Sequence, residues 1–314
     1  MYKGYITDID GIKVGHAQNY EGGTGLTVLI PPVNNTCSVE VRGSAPGTRE
    51  TDLLDPINTV ESVNALILSG GSAYGLDAAS GVMEALEKDG LGLDVGVCKV
   101  PIVCQAVLFD LAYKNPKIRP DRNMGIKAYK NASTSENSQG IIGAGAGASV
   151  GKILGMEASM KSGLGSATII EGDLKVSAIV AVNAFGDIFD YEKGKQIAGP
   201  IADGKMMKTA DQMANIMSGF SEIANKNTTI GIVSTNASFD KTKLKKIAQM
   251  THDGFARSIN PVHTAFDGDT VFALATNEVK ADLNVVGTMA ANAMSRAIAN
   301  AIYSVAVSYP HLTL

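Results

Sequence analysis

The alternation and clustering of apolar and polar positions mark out most of the elements of this chain. Gly25-Leu26-Thr27-Val28-Leu29-Ile30, closed by Pro31-Pro32, and the alternating Cys37-Ser38-Val39-Glu40-Val41 read as strands. The Gly- and Pro-containing stretch from Arg42 to Leu53 carries mixed charge and reads as a surface turn. Ala65-Leu66-Ile67-Leu68 is a short apolar run that ends in Ser69-Gly70-Gly71-Ser72. Leu76, Ala79, Met83 and Leu86 then recur at helical spacing. Tyr74 falls in the first turn of that helix, at the kind of strand-to-helix corner that often presents functional groups; a core tyrosine is the plainer alternative. Lys114 to Gln139 is polar and Pro-, Asn- and Ser-rich, and reads as a long loop.

The second half has stronger signals. Val176 to Val182 reads as a strand running into Asn183-Ala184-Phe185-Gly186-Asp187, and Val271 to Ala275 as another. Ala198 to Gly219 is polar, with methionine-rich patches and few signals. Leu244, Ile247, Ala248, Thr251 and Phe255 line one helix face, and Lys241, Lys243, Lys245 and Lys246 read as its solvated side. From Val286 to Val305 an apolar, alanine-rich stripe predicts a long helix, core or subunit interface in character. The tail from Ser308 to Leu314 does not continue it and is set aside from the fold.

Gly140 to Lys152 invites a phosphate-loop reading, which fails. The pattern needs glycine at position 146, where Ala146 stands, and a hydroxyl residue after Lys152, where Ile153 stands. The dinucleotide pattern fails at Ala148 and Val150. Alternating small residues instead predict a backbone packed closely on another element, with Lys152 held at its end.

Composition narrows the class. The 314 residues are 45% apolar and 18% charged, enough for a substantial core in one large or two closely packed domains. A net charge of −4 with scattered Lys and Arg argues against nucleic acid as a partner. No apolar stretch reaches the ~18 residues that a membrane span needs, and the N-terminal residues lack the apolar core of a secretory signal. Cys37, Cys98 and Cys104 form no C-x-x-C pair, which fits a reducing cytoplasm. His16, His252, His263 and His311 show no metal spacing and read as structural.

The candidate chemistry gathers at Asn227-Thr228-Thr229-Ile230-Gly231-Ile232-Val233, where the polar run Ala224-Asn225-Lys226-Asn227 meets a buried strand. Were the peptide bond before Thr228 cut, Thr228 would carry both a hydroxyl and a free α-amine of pKa ~7.7–8.0, a self-activated nucleophile at neutral pH. Thr229 is its rival, but adjacent strand positions face opposite sides, so only one of the two can enter a site. Asn183 at a strand end is a turn former or an oxyanion donor. In extended backbone Asp267 and Asp269 project to one side, and two such carboxylates bind a cation or shift a pKa; an Asp-Gly-Asp turn is the plainer alternative.

These segments, with Asp8-Ile9-Asp10-Gly11, Gly47-Thr48-Arg49-Glu50-Thr51-Asp52, Ser69-Gly70-Gly71-Ser72 and Gly147-Ala148-Ser149-Val150-Gly151-Lys152, occur in an order that resembles the L-aminopeptidase/D-esterase family of N-terminal-nucleophile hydrolases. That family includes β-aminopeptidases and the 6-aminohexanoate (nylon) oligomer hydrolases. Threonine after asparagine, with Asp-Gly-Asp downstream, looks most like the nylon-oligomer branch. The resemblance implies a four-layer α/β/β/α sandwich, one catalytic domain over 1–314, self-cleaved between Asn227 and Thr228 into residues 1–227 and 228–314. It further implies Thr228 as nucleophile, Asn183 as oxyanion donor and Tyr74 as its assistant or a substrate guide. Asp267 and Asp269 would hold the Thr228 ammonium, and Lys152 would pair with those carboxylates and favour the neutral amine. The substrate would be a small amide or peptide. The chemistry needs no metal or organic cofactor, and the assembly expected is a homo-oligomer, a tetramer of cleaved protomers. Two other readings stay open: an acyltransferase of the ornithine-acetyltransferase kind with the same threonine, and a non-catalytic binding protein whose chain stays intact.

Overall fold

The computed structural model describes residues 1–215 and 227–308, and in them two five-stranded sheets lie face to face between two helical layers. The first sheet runs, in spatial order, Lys13–Asn19, Thr24–Ile30, Ala65–Ser69, Val103–Val107 and Gly47–Arg49. The second runs Leu164–Glu171, Leu174–Asn183, Thr228–Ala237, Thr270–Val279 and Thr36–Val41. The Thr228–Ala237 strand is therefore central, antiparallel to Leu174–Asn183 and parallel to Thr270–Val279.

Strand alternation builds the layers. Ile179, Ala181, Ile230, Ile232, Phe272 and Leu274 meet Leu29, Leu66, Leu68 and Cys104 between the sheets. The intervening Val176, Val180, Val233, Val271 and Ala273 face helices Lys241–Ser258 and Leu283–Ser308. On the other side Val28, Ile67 and Val103 pack against Ala78, Val82, Leu86 and Ala128 of helices Ala78–Lys88 and Arg122–Lys130. Each fully buried Val, Leu or Ile contributes roughly 1.5–3 kcal/mol, so the sandwich is held mainly by these three apolar layers.

Three expectations need correction. Lys114 to Gln139 is not all loop: Arg122–Lys130 is a helix whose N-cap Asp121 accepts a hydrogen bond from Met124 N at 2.8 Å. Its buried face is Gly125 and Ala128, too small to give an apolar signal. Lys241 is not on a solvated face; it is buried and its ammonium donates to the carbonyls of Leu53, Asn58 and Val60. The stretch from Arg42 to Leu53 is a surface turn only at its start: Arg42 N and Gly43 N donate to Asp269 O and Ala45 N to Asp267 O, and Gly47–Arg49 then forms an edge strand of the first sheet. The stripe from Val286 to Val305 is buried against the second sheet of its own chain, the core alternative of its reading. Of the weakly patterned 198–219 stretch, Thr209–Asn215 is helical; 216–219 lie outside the described residues, as do 224–226, His311 and the tail beyond Ser308.

Candidate active site

The sheet register brings Asn183 directly opposite Thr228 at one end of the second sheet. Thr228 shares its side of the strand with Ile230 and Ile232 and so opens toward the inter-sheet layer. Thr229 shares its side with Gly231 and Val233; a Cβ on Gly231 would stand 2.9 Å from Met294 Cε of the C-terminal helix. Thr229 Oγ1 is buried there with no hydrogen-bond partner. Thr228 Oγ1 instead donates to the carbonyl oxygen of Asn227, the peptide group whose cleavage would free the amine. A Cβ on Gly268 would approach Thr228 Oγ1 to 2.9 Å and Ala45 O to 2.6 Å, so only glycine leaves the hydroxyl its space.

The close-packed glycine segment delivers Lys152. A Cβ on Gly145 would stand 2.2 Å from Leu164 N, which is the tight approach that its small residues permit. Gly151 N and Lys152 N then donate to Gly186 O and Phe185 O, anchoring the lysine beside the Asn183 turn. Lys152 Nζ donates to Asn183 Oδ1 at 2.6 Å and to Asn183 O at 3.2 Å, and Ser149 N donates to Oδ1 at 3.1 Å. Asn183 Nδ2 donates to Phe109 O at 2.9 Å. Two donors on Oδ1 and one acceptor on Nδ2 thus fix the amide's orientation. A narrow crevice without room for a water molecule, lined by Phe109, Asp110, Tyr113, Ser149, Lys152 and Met156, lies against the lysine.

Electrostatics here are tuned by burial. Lys152 is lowered to about 7 by desolvation, partly opposed by the charges of Asp267 and Asp110. Asp267 is raised to about 6 by desolvation and then by Asp269; hydrogen bonds from Thr264 N and Oγ1, at 2.8 and 2.7 Å, and the charge of Lys152 oppose the rise. Asp269 Oδ1 accepts from Thr229 N at 2.8 Å, and Oδ2 lies 2.8 Å from His263 Nδ1. Asp267 and Asp269 precede the strand rather than lying in it, and each carboxylate has its own set of donors.

A family model described as Peptidase family S58 matches residues 4–308. The chain belongs to peptidase family S58. This S58 peptidase is 40% identical over 294 residues to an uncharacterized aminopeptidase of Mycobacterium leprae, covering 88% of this chain and 79% of that protein. It is 32% identical over 277 residues to a 6-aminohexanoate-oligomer endohydrolase of Kocuria sp., covering 87% of this chain and 75% of that protein. In fold it matches the L-aminopeptidase D-Ala-esterase/amidase of Ochrobactrum anthropi, with a TM-score of 0.69 at 17% identity over 96% of this chain and 86% of that one. That structure is described as a variant of the Ntn-hydrolase fold, and the α/β sandwich of this S58 peptidase is of the same kind. The chain is accordingly a hydrolase of amide bonds.

Of the six side chains the sequence singled out, five converge at the head of the Thr228 strand: Thr228, Asn183, Lys152, Asp267 and Asp269. Tyr74 stays apart. It is exposed rather than core, and its ring lies 3.6 Å from the Arg119 guanidinium. The sequence reading passed over Asp110, which is buried, raised in pKa by that burial, and accepts from Thr24 Oγ1 and Gly71 N. It also passed over Lys161, lowered to about 7 by burial, whose ammonium donates to the carbonyls of Gly145, Ala148 and Ser162. Neither has a spacing signal, because the fold alone brings 110, 152 and 161 together. Among the described residues no helix is long and apolar enough to cross a membrane.

Proposed function

We propose that this chain is a self-processing amide hydrolase whose nucleophile is Thr228, freed by cleavage after Asn227. The observation that carries the reading is the Thr228 hydroxyl lying against the Asn227 carbonyl, opposite Asn183, whose amide is held by a buried lysine lowered to about 7. In the precursor, Thr228 Oγ attacks the Asn227 carbonyl carbon. The C–N bond breaks, an ester forms and the α-amine is released; water hydrolyses the ester to the Asn227 carboxylate and the free hydroxyl.

In the mature enzyme the α-amine takes the Oγ proton as Oγ attacks a substrate amide. The second Nδ2 hydrogen of Asn183, not used by Phe109 O, stabilises the developing oxyanion. The proton passes to the leaving amine, an acyl-Thr228 ester remains, and water hydrolyses it. Lys152 favours the neutral α-amine by its residual positive charge and keeps the Asn183 amide turned. Asp267 and Asp269 balance the ammonium that forms when the amine is protonated. Short peptides and 6-aminohexanoate oligomers are the substrate classes that the named relatives suggest.

Intact mass of the purified protein tests this. The expected result is two polypeptides, residues 1–227 and 228–314, with hydrolysis of short amides; a single active chain, or an active Thr228→Ala protein, would overturn it.

A further inference from the structure

His263, outside the set just described, contacts one of the site carboxylates twice. It is a non-glycine residue at φ +54°, a left-handed conformation that L side chains seldom adopt. In that conformation its backbone N–H and its ring converge on a single atom: N donates to Asp269 Oδ2 at 3.3 Å, and Nδ1 lies 2.8 Å from the same oxygen. A carboxylate can only accept, so Nδ1 carries the hydrogen. The other oxygen of Asp269 accepts Thr229 N, the peptide next to the proposed nucleophile. The rest of the ring is set in aromatic surroundings, stacked on Phe255 at 6.0 Å and edge-on to His252 at 4.8 Å, with Nε2 buried and unpartnered. Its second nitrogen does no hydrogen bonding, so the ring's polar contribution falls entirely on Asp269.

We propose that His263 is a positioning residue that clamps Asp269, so that this carboxylate holds the head of the Thr228 strand in its reactive orientation. This rests on Thr228 being the nucleophile. Strain held at a residue that touches a site carboxylate is the pattern expected where the surroundings fix a functional geometry.

Three variants test it. His263→Gly keeps the left-handed backbone and its N–H but loses the ring donor; kcat is expected to fall roughly tenfold, the scale of one charge-assisted hydrogen bond, with KM unchanged. His263→Asn restores a side-chain N–H near the Nδ1 position and tolerates positive φ, and should recover most of kcat. His263→Phe keeps the aromatic packing without the donor and should behave like the glycine variant. A phenylalanine variant with wild-type kcat, an asparagine variant no better than glycine, or a loss confined to KM would each overturn the assignment. Should the glycine variant fail to fold, the Asn and Phe pair decides. An active Thr228→Ala protein would remove the parent reading, whereas inactive Thr228→Ala beside an unaffected His263→Phe sinks only the role of His263.

Discussion

Thr228 and Thr229 are the same residue type, adjacent on one strand and both buried, yet they live in opposite worlds. Thr228 faces the Asn227 carbonyl, Gly268 and Asn183, in reach of groups whose charge changes near neutrality. Thr229 faces the helix layer, with its hydroxyl unpartnered, and contributes to the site only through its backbone N–H on Asp269. The difference teaches that strand parity and the end of the strand, rather than residue chemistry, set the proposed nucleophile apart from its neighbour.

Substitutions that break the contrast should show the largest effects. Thr228→Ala is expected to leave a single uncut polypeptide and reduce turnover by at least ~10³, read by intact mass and amide hydrolysis. Asn183→Ala and Lys152→Met remove the proposed oxyanion donor or the cation that orients it, and should each reduce kcat by ~10²–10³ in single-turnover assays. Gly268→Ala pushes a methyl into the space of the Thr228 hydroxyl, and a displacement of this kind should slow both processing and turnover by up to ~10²-fold.

The pH dependence sharpens the comparison further. Asp267, at about 6, takes up a proton as the pH falls through that value, so kcat/KM should decline about tenfold per unit below it, a limb missing from the residual activity of Asp267→Asn. Stability runs the other way. The folded carboxyl binds its proton more tightly than an ordinary one at 3.8, so the wild type should gain on Asp267→Asn in Tm as pH falls from about 6 toward 4. Thr229→Val, which replaces an unpartnered buried hydroxyl with a methyl of the same shape, should leave activity within about twofold and raise stability by up to ~1 kcal/mol, measured by chemical denaturation.

Much of this was legible because the decisive elements announce themselves locally. Ile230, Ile232 and Val233 make a strand on any reading, and the Leu244–Phe255 helix face is buried as its spacing predicts. Asp267 and Asp269 were visible as a pair, though their separate partners were not, since those depend on Thr264, Thr229 and His263 in a folded turn. The contact of Lys152 with Asn183 crosses 31 positions, and no local pattern encodes it. His263 was read as structural; its only signal was standing six residues before Asp269. Tyr74 was placed at a corner that proved to be surface, where the Arg119 guanidinium stands over its ring.

The position of the Thr228 strand also bears on what a cut would leave behind. It sits third of five in its sheet, paired along one edge to residues that precede the break and along the other to residues that follow it. A severed bond there would loosen only a terminus, because the ladder rungs on both flanks keep the two fragments stitched into one body. The daughter polypeptides should therefore co-elute without denaturant and separate only when the whole sandwich melts.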